Sequence, residues 1–217
     1  MFHRHKIALA IGCATAALTL AAVPSFASTD DSMTATTNAE NAPLIPREAL
    51  FGNPTRAGGQ ISPDGKWIVY AVSDNDFNRD IWLRPIDGSR KPFNLSRHPD
   101  NEFAPRWSPD GRWVLYSMAV NGNTDIYRVS ANGGQSERLT DAPGIDVGGS
   151  YSPDGSRIVF ESDRSGSQQI YIMNADGTGQ RRLSFFGGRA ATPEWSPRGD
   201  QIAFTYIPGD FNIAVMS

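Results

Sequence analysis

Few side chains in this sequence could do chemistry. Three histidines and one cysteine occur, and His3, His5 and Cys13 fall within an N-terminal stretch that reads as a removable leader. That leaves His98. A zinc or other soft-metal centre needs several His or Cys donors around one ion, so the raw material is missing. A Ser–His–Asp triad would have to use His98, which precedes Pro99 in a loop, and the chain has no Gly-x-Ser-x-Gly elbow. Gly59 to Lys66 resembles a phosphate loop but is one residue too long, and Trp67 stands where Ser or Thr must bind the cation. Asp74, Asp76, Asn78 and Asp80 alternate like calcium ligands, yet Arg79 and Pro85 occupy the positions that need Gly and a bidentate Glu. Turn chemistry is the better reading there. The expectation is a non-enzymatic protein without metal or cofactor.

The bulk properties define the setting. Of 217 residues, 39% are hydrophobic and 20% charged, which suits a folded domain. Met1 to Lys6 is basic, Ile7 to Val23 is apolar, and Ser25-Phe26-Ala27 offers small residues for signal peptidase. Residues 1–27 therefore read as an export signal, with a periplasmic destination and no membrane span after cleavage. Residues 28–54, rich in Thr, Ser, Asp and Asn at their start, read as a polar linker. The chain carries −3, and Arg4 and Lys6 are the leader's only charges, so the mature protein carries about −5. An acidic surface without a basic run excludes nucleic acid as a partner.

What could position any site is a repeat. Ser62-Pro-Asp-Gly65, Ser108-Pro-Asp-Gly111, Ser152-Pro-Asp-Gly155 and Ser196-Pro-Arg-Gly199 recur at spacings of 46, 44 and 44 residues. Pro presets the turn, Asp bonds nearby amides, and Gly takes a positive φ. Each turn is followed by an unbroken apolar triplet: Ile68-Val69-Tyr70, Val114-Leu115-Tyr116, Ile158-Val159-Phe160, Ile202-Ala203-Phe204. Side chains on both faces of a strand need sheets on both sides. A third strand (Ile81-Trp82-Leu83 and its equivalents), a Gly turn and a short polar strand ending in Leu-Ser or Leu-Thr complete each unit. The expected fold is all-β: a β-propeller of four-stranded antiparallel blades over residues 55–217, at about 55–96, 101–140, 145–184 and 190–217, the last incomplete. Three full blades and a partial fourth predict an open arc, or a ring closed only by oligomerisation.

Alternation places the loops joining second to third strands, and fourth strands to the next blade, on one rim. Phe77, His98, Glu102, Asp146, Arg164, Phe186 and Arg189 gather there as candidate protein-binding residues. Phe103 and Phe185 share these loops, but for them packing between blades is the expectation.

The stretch from Phe103 to Met216 resembles the TolB-type propellers of the Tol–Pal system. The resemblance rests on Phe103 to Gly111, Asp125-Ile-Tyr127, Arg138 to Asp146, Ile158 to Arg164, Asn174 to Gly177 and Trp195 to Asp200. It implies a non-catalytic periplasmic module that binds an envelope protein such as a peptidoglycan-associated lipoprotein. Such proteins carry a mixed α/β domain before six blades, which this sequence lacks. A second resemblance, over Pro43 to Pro54 with Ile61 to Gly65 and Asp80-Ile-Trp82, is to the propellers of secreted prolyl oligopeptidase-family enzymes. That implies a truncated propeller without its catalytic domain, and the two readings stay open.

Overall fold

The computed structural model describes residues 56–74 and 78–217. The leader and linker expected over 1–27 and 28–54 lie outside the described residues. Blade one contains β1 (Arg56–Ile61), β2 (Trp67–Ser73), β3 (Arg79–Pro85) and β4 (Phe93–Asn94). Blade two contains β5 (Asn101–Trp107), β6 (Trp113–Val120), β7 (Asn123–Ser130) and β8 (Glu137–Arg138). Blade three contains β9 (Asp146–Tyr151), β10 (Arg157–Ser162), β11 (Gln169–Asn174) and β12 (Arg181–Arg182). Blade four has three strands, β13 (Arg189–Trp195), β14 (Ile202–Ile207) and β15 (Asn212–Met216). Strands follow chain order within each sheet and every strand pair is antiparallel. Among the described residues no helix occurs.

The repeated turn closes through a network centred on its serine. In blade one the Ser62 hydroxyl donates to Asp64 Oδ1 (2.6 Å) and accepts from Trp67 N–H (2.9 Å), while Lys66 N–H donates to the same carboxylate (3.1 Å). Ser108 and Ser152 repeat the arrangement with Asp110 and Asp154. These bonds favour the carboxylate form; the Ser152 hydroxyl foremost, then Ser156, hold Asp154 at about 2. In the fourth turn Arg198 replaces the aspartate, and Asp200 takes the Ser196 hydroxyl instead at 2.7 Å. The turn survives because the carboxylate is supplied from two residues further on.

The apolar triplets hold the blades together. Val69, Leu115 and Val159 are at most 1% exposed, and each faces the following blade. Val114, Tyr116 and Met118 of blade two close over Val69, Ala71, Ile81 and Leu83 of blade one. Ile158 and Phe160 close over Leu115 and Ile126, and Ile202 packs against Val159 and Ile172. Burial of each such side chain contributes roughly 1.5–3 kcal/mol, so stacking of neighbouring sheets dominates stability.

The first strands lie side by side toward the axis: β1 touches β5, β5 touches β9, and β9 touches β13. Among the described residues β1 and β13 do not meet, so the arc is open. Each first strand carries a bulge four residues before the turn serine, at Gly58, Ala104, Gly148 and Thr192, where φ lies between 49° and 66°. Glycine adopts this left-handed geometry without penalty, whereas Ala104 and Thr192 are held in it by the sheet.

Candidate functional site

The rim loops are tied to one another across blades. Asn78 Nδ2 donates to Pro99 O (3.0 Å), and Arg79 N–H to Asn101 Oδ1 (3.2 Å). Asn123 bridges to Ala142 O (3.2 Å) and Gly144 N–H (2.9 Å), and Ile145 N–H donates to Asp163 Oδ1 (2.7 Å). Asp74, first of the calcium-like series, accepts from Asn78 N–H at 2.8 Å, and Asp76 lies outside the described residues.

Beneath the loops runs a buried polar layer with one motif per blade. The N–H of the first core isoleucine in each third strand donates to the Ser or Thr that ends the outer strand: Ile81 to Ser96 (3.4 Å), Ile126 to Thr140 (3.0 Å), Ile170 to Ser184 (2.8 Å). An acceptor then takes the hydroxyl. In blades two and three it comes from the same strand, Asp125 Oδ1 (3.2 Å) and Gln169 Oε1 (2.6 Å). In blade one it is Glu102, reaching back from blade two; its Oε2 bonds Ser96 Oγ and accepts Ile81 N–H at 3.0 Å. Burial pushes the Glu102 carboxyl up to about 7, with Asp80 and Asp100 adding repulsion against the lowering effect of these bonds. Its Oε1 is buried without a hydrogen-bond partner.

Asp146 occupies the same column one blade on, fully buried, and Arg164 meets it with an N···O distance of 2.5 Å. The Arg164 guanidinium also bonds Ser162 Oγ (2.9 Å) and Gln180 Oε1 (2.7 Å) and lies over the Phe160 and Tyr171 rings. It clamps the second-to-third strand loop to the start of β9, the end of β10, β11 and the turn before β12. Glu161, raised by burial, accepts Thr192 N–H at 3.1 Å and is drawn back down by that bond and by Arg189.

The structure thus divides the candidates. Glu102 and Asp146 are inside the polar layer, and Arg164 is largely covered by its bonds. Phe186 is half-buried, stacked on Phe204 (centroids 5.5 Å apart) and against Tyr206 (4.6 Å). His98 sits at the surface with Asp100, Nδ1 to Oδ2 3.2 Å, and Arg189 is exposed. Phe77 lies outside the described residues. Phe185 corrects the expectation that it packs between blades: it is 76% exposed, with the Arg182 guanidinium 5.2 Å from its ring. Phe186 turns inward onto Phe204 and Tyr206, and its neighbour Phe185 turns out. Phe103 is half-buried.

Two features escaped the sequence reading. Arg106 of β5 pairs with Glu194 of β13 at 2.7 Å, and Ser150 of β9 donates to the same carboxylate at 2.9 Å, so three first strands are joined on the axial side. Asp125 pairs with Arg138 at 2.6 Å, its carboxyl raised by burial and partly restored by that arginine. Gln60, Arg106, Ser150 and Glu194 all stand two residues before the turn serine; this polar column was the available signal.

A family model described as the TolB beta propeller domain matches residues 53–217. An Agrobacterium tumefaciens protein assigned as a TolB superposes with a TM-score of 0.66 at 29% identity, over 74% of this chain and 60% of that one. TolB from Acinetobacter baumannii gives 0.62 at 30% identity, over 75% and 41%. Dipeptidyl aminopeptidase BIII from Pseudoxanthomonas mexicana is 34% identical over 104 residues, 46% of this chain and 15% of that protein. The chain therefore spans less than two thirds of each of these relatives.

Proposed function

Because the chain belongs to the TolB beta propeller domain family, we propose that it is a non-enzymatic binding module, exported to the periplasm, that recognises an envelope protein such as a peptidoglycan-associated lipoprotein. The observation that carries this reading is the rim at the end of blade three. Phe185 is exposed beside Arg182, with Arg189 four residues on, over loops already fixed by buried bonds. An aromatic and cations on a preorganised base bind protein surfaces with little ordering cost. The predicted leader and the acidic mature charge suit a periplasmic protein without affinity for nucleic acid. In the test, the mature protein is immobilised and challenged with a purified peptidoglycan-associated lipoprotein at physiological salt. Retention that Phe185→Ala weakens roughly tenfold is expected; no retention overturns the proposal.

A second reading has its own support. The local similarity to a dipeptidyl aminopeptidase suits a propeller from a secreted serine peptidase, whose activity would require a catalytic domain. It expects a Gly-x-Ser-x-Gly elbow encoded downstream of Ser217 in the same frame, which sequencing the locus decides.

A further inference from the structure

The Ser-Pro-x-Gly turns join first to second strands, at the end of the sheets opposite the rim, and each rests on the turn before it. A Cβ at Gly111 or Gly155 would lie 3.7 Å from Cδ of Pro63 or Pro109, and one at Gly199 would lie 3.4 Å from Cδ of Pro153. The turns form one stack, and two of its columns change where blade three meets blade four. Residues two apart share a face of a strand, so the position two before Val69, Leu115 and Val159 faces the following blade with them. It holds Trp67, Trp113 and Arg157, opposite Pro85, Ser130 and Asn174 on the third strands. Trp67 packs on the core between blades one and two with the Arg90 guanidinium 4.7 Å from its ring, and Arg128 lies 4.3 Å from the ring of Trp113. In blade three arginine replaces the indole. The second change is in the turn itself, where Arg198 stands in the column of Asp64, Asp110 and Asp154.

A pocket of about 470 Å³ lies between these two turns, lined by Pro153, Asp154, Ser156, Arg157, Trp195 and Arg198. Its charges do not cancel internally. Asp154 is already engaged, accepting from the Ser152 hydroxyl (2.5 Å), the Ser156 N–H (3.0 Å) and the Ser156 hydroxyl (2.9 Å). Among the described residues no hydrogen bond or ion pair engages the guanidinium of Arg157 or Arg198, and both residues are exposed. Two guanidinium cations and one carboxylate leave a single unit of positive charge, which suits one carboxylate better than a dianion. Trp195, half-buried against Val159, Ile172 and Ile202, forms an apolar wall with Pro153.

We propose that this pocket is a binding site for a small organic carboxylate, whose charged group bridges Arg157 and Arg198 while its carbon body lies against Trp195 and Pro153. The site is independent of the rim, because its walls are two neighbouring turns at the other end of the sheets, one from blade three and one from blade four.

The test titrates ¹⁵N-labelled protein with benzoate at physiological salt and follows the Trp195 indole N–H and the amides of Arg157 and Gly199. Saturable shifts are expected, with binding weakened roughly tenfold or more by Arg157→Gln and by Arg198→Gln. Arg157→Trp, which restores the residue type of blades one and two, fills the pocket and abolishes binding. Arg112→Gln, which removes an exposed arginine of the second turn outside the pocket, leaves it unchanged. The glutamine variants alter exposed side chains, and an unchanged amide spectrum away from the two turns verifies their fold. Absence of saturable shifts, equal shifts with neutral benzamide, or an equal loss in Arg112→Gln overturns the proposal. Inorganic phosphate binding more tightly than benzoate overturns the assignment to a carboxylate. A blocked acidic peptide, acetyl-Asp-Glu-Asp-amide, covers the other source of this group: saturable binding of the peptide with benzoate silent assigns the pocket to a protein side chain and also overturns the proposal.

Discussion

Replacing Glu102 by glutamine removes a titrating group from the polar layer while keeping an acceptor for Ile81 N–H and the Ser96 hydroxyl. In the folded protein Glu102 holds its proton to about pH 7, whereas in the unfolded chain it is released near its ordinary 4.5. Between those values the native state binds more protons than the unfolded state, so stability falls as pH rises through the window. Below it both states are protonated and Glu102 imposes no penalty. Above it the full penalty stands, roughly 3 kcal/mol for a shift of this size. Glu102→Gln should therefore be similar to the parent near about pH 4.5 and more stable by up to about 3 kcal/mol at about pH 8. For a domain of this size that is a melting-temperature gain of about 6–12 °C. The assay is thermal or urea unfolding of both proteins across that range. An offset added equally at every pH to this growing difference would report the cost of placing an amide NH₂ near the former Oε1. What refutes the reasoning is parallel curves, because Glu102 would then not titrate between folded and unfolded states.

Other perturbations read other parts of the structure. Arg164→Ala leaves Asp146 buried without its cation and should cost about 3–5 kcal/mol in urea unfolding, with Asp146→Asn in the same chain recovering part of it. Leu115→Ala opens a cavity between blades two and three and should cost about 2–5 kcal/mol by the same assay. Ala104→Gly relieves a left-handed alanine in the β5 bulge and should leave stability unchanged or raise it by about 1 kcal/mol, whereas Gly148→Ala, the reverse change in the same column, should lower it by about 1 kcal/mol.

The fold was legible because its signals are repeated and local. The Ser-Pro-Asp-Gly turns set the spacing, and the unbroken triplets required sheets on both sides; Val69, Leu115 and Val159 are buried as that argument demands. The site was less legible because a rim position does not reveal which way its side chain points. Glu102 and Asp146 were grouped with binding residues for lying near loops, yet each begins an inner strand and turns into the sheet stack. Phe185 and Phe186 were exchanged for a similar reason: one of this adjacent pair turns inward and the other outward, and composition does not say which. Here Phe204 and Tyr206 decide, since they form the surface on which Phe186 stacks. The Arg106–Glu194 pair required knowing that the first strands converge, bringing residues 88 apart in sequence together. Read by column, however, the repeat does carry part of this information. Gln60, Arg106, Ser150 and Glu194 fall in one column two residues before the turn serine, and three of them meet where the first strands converge.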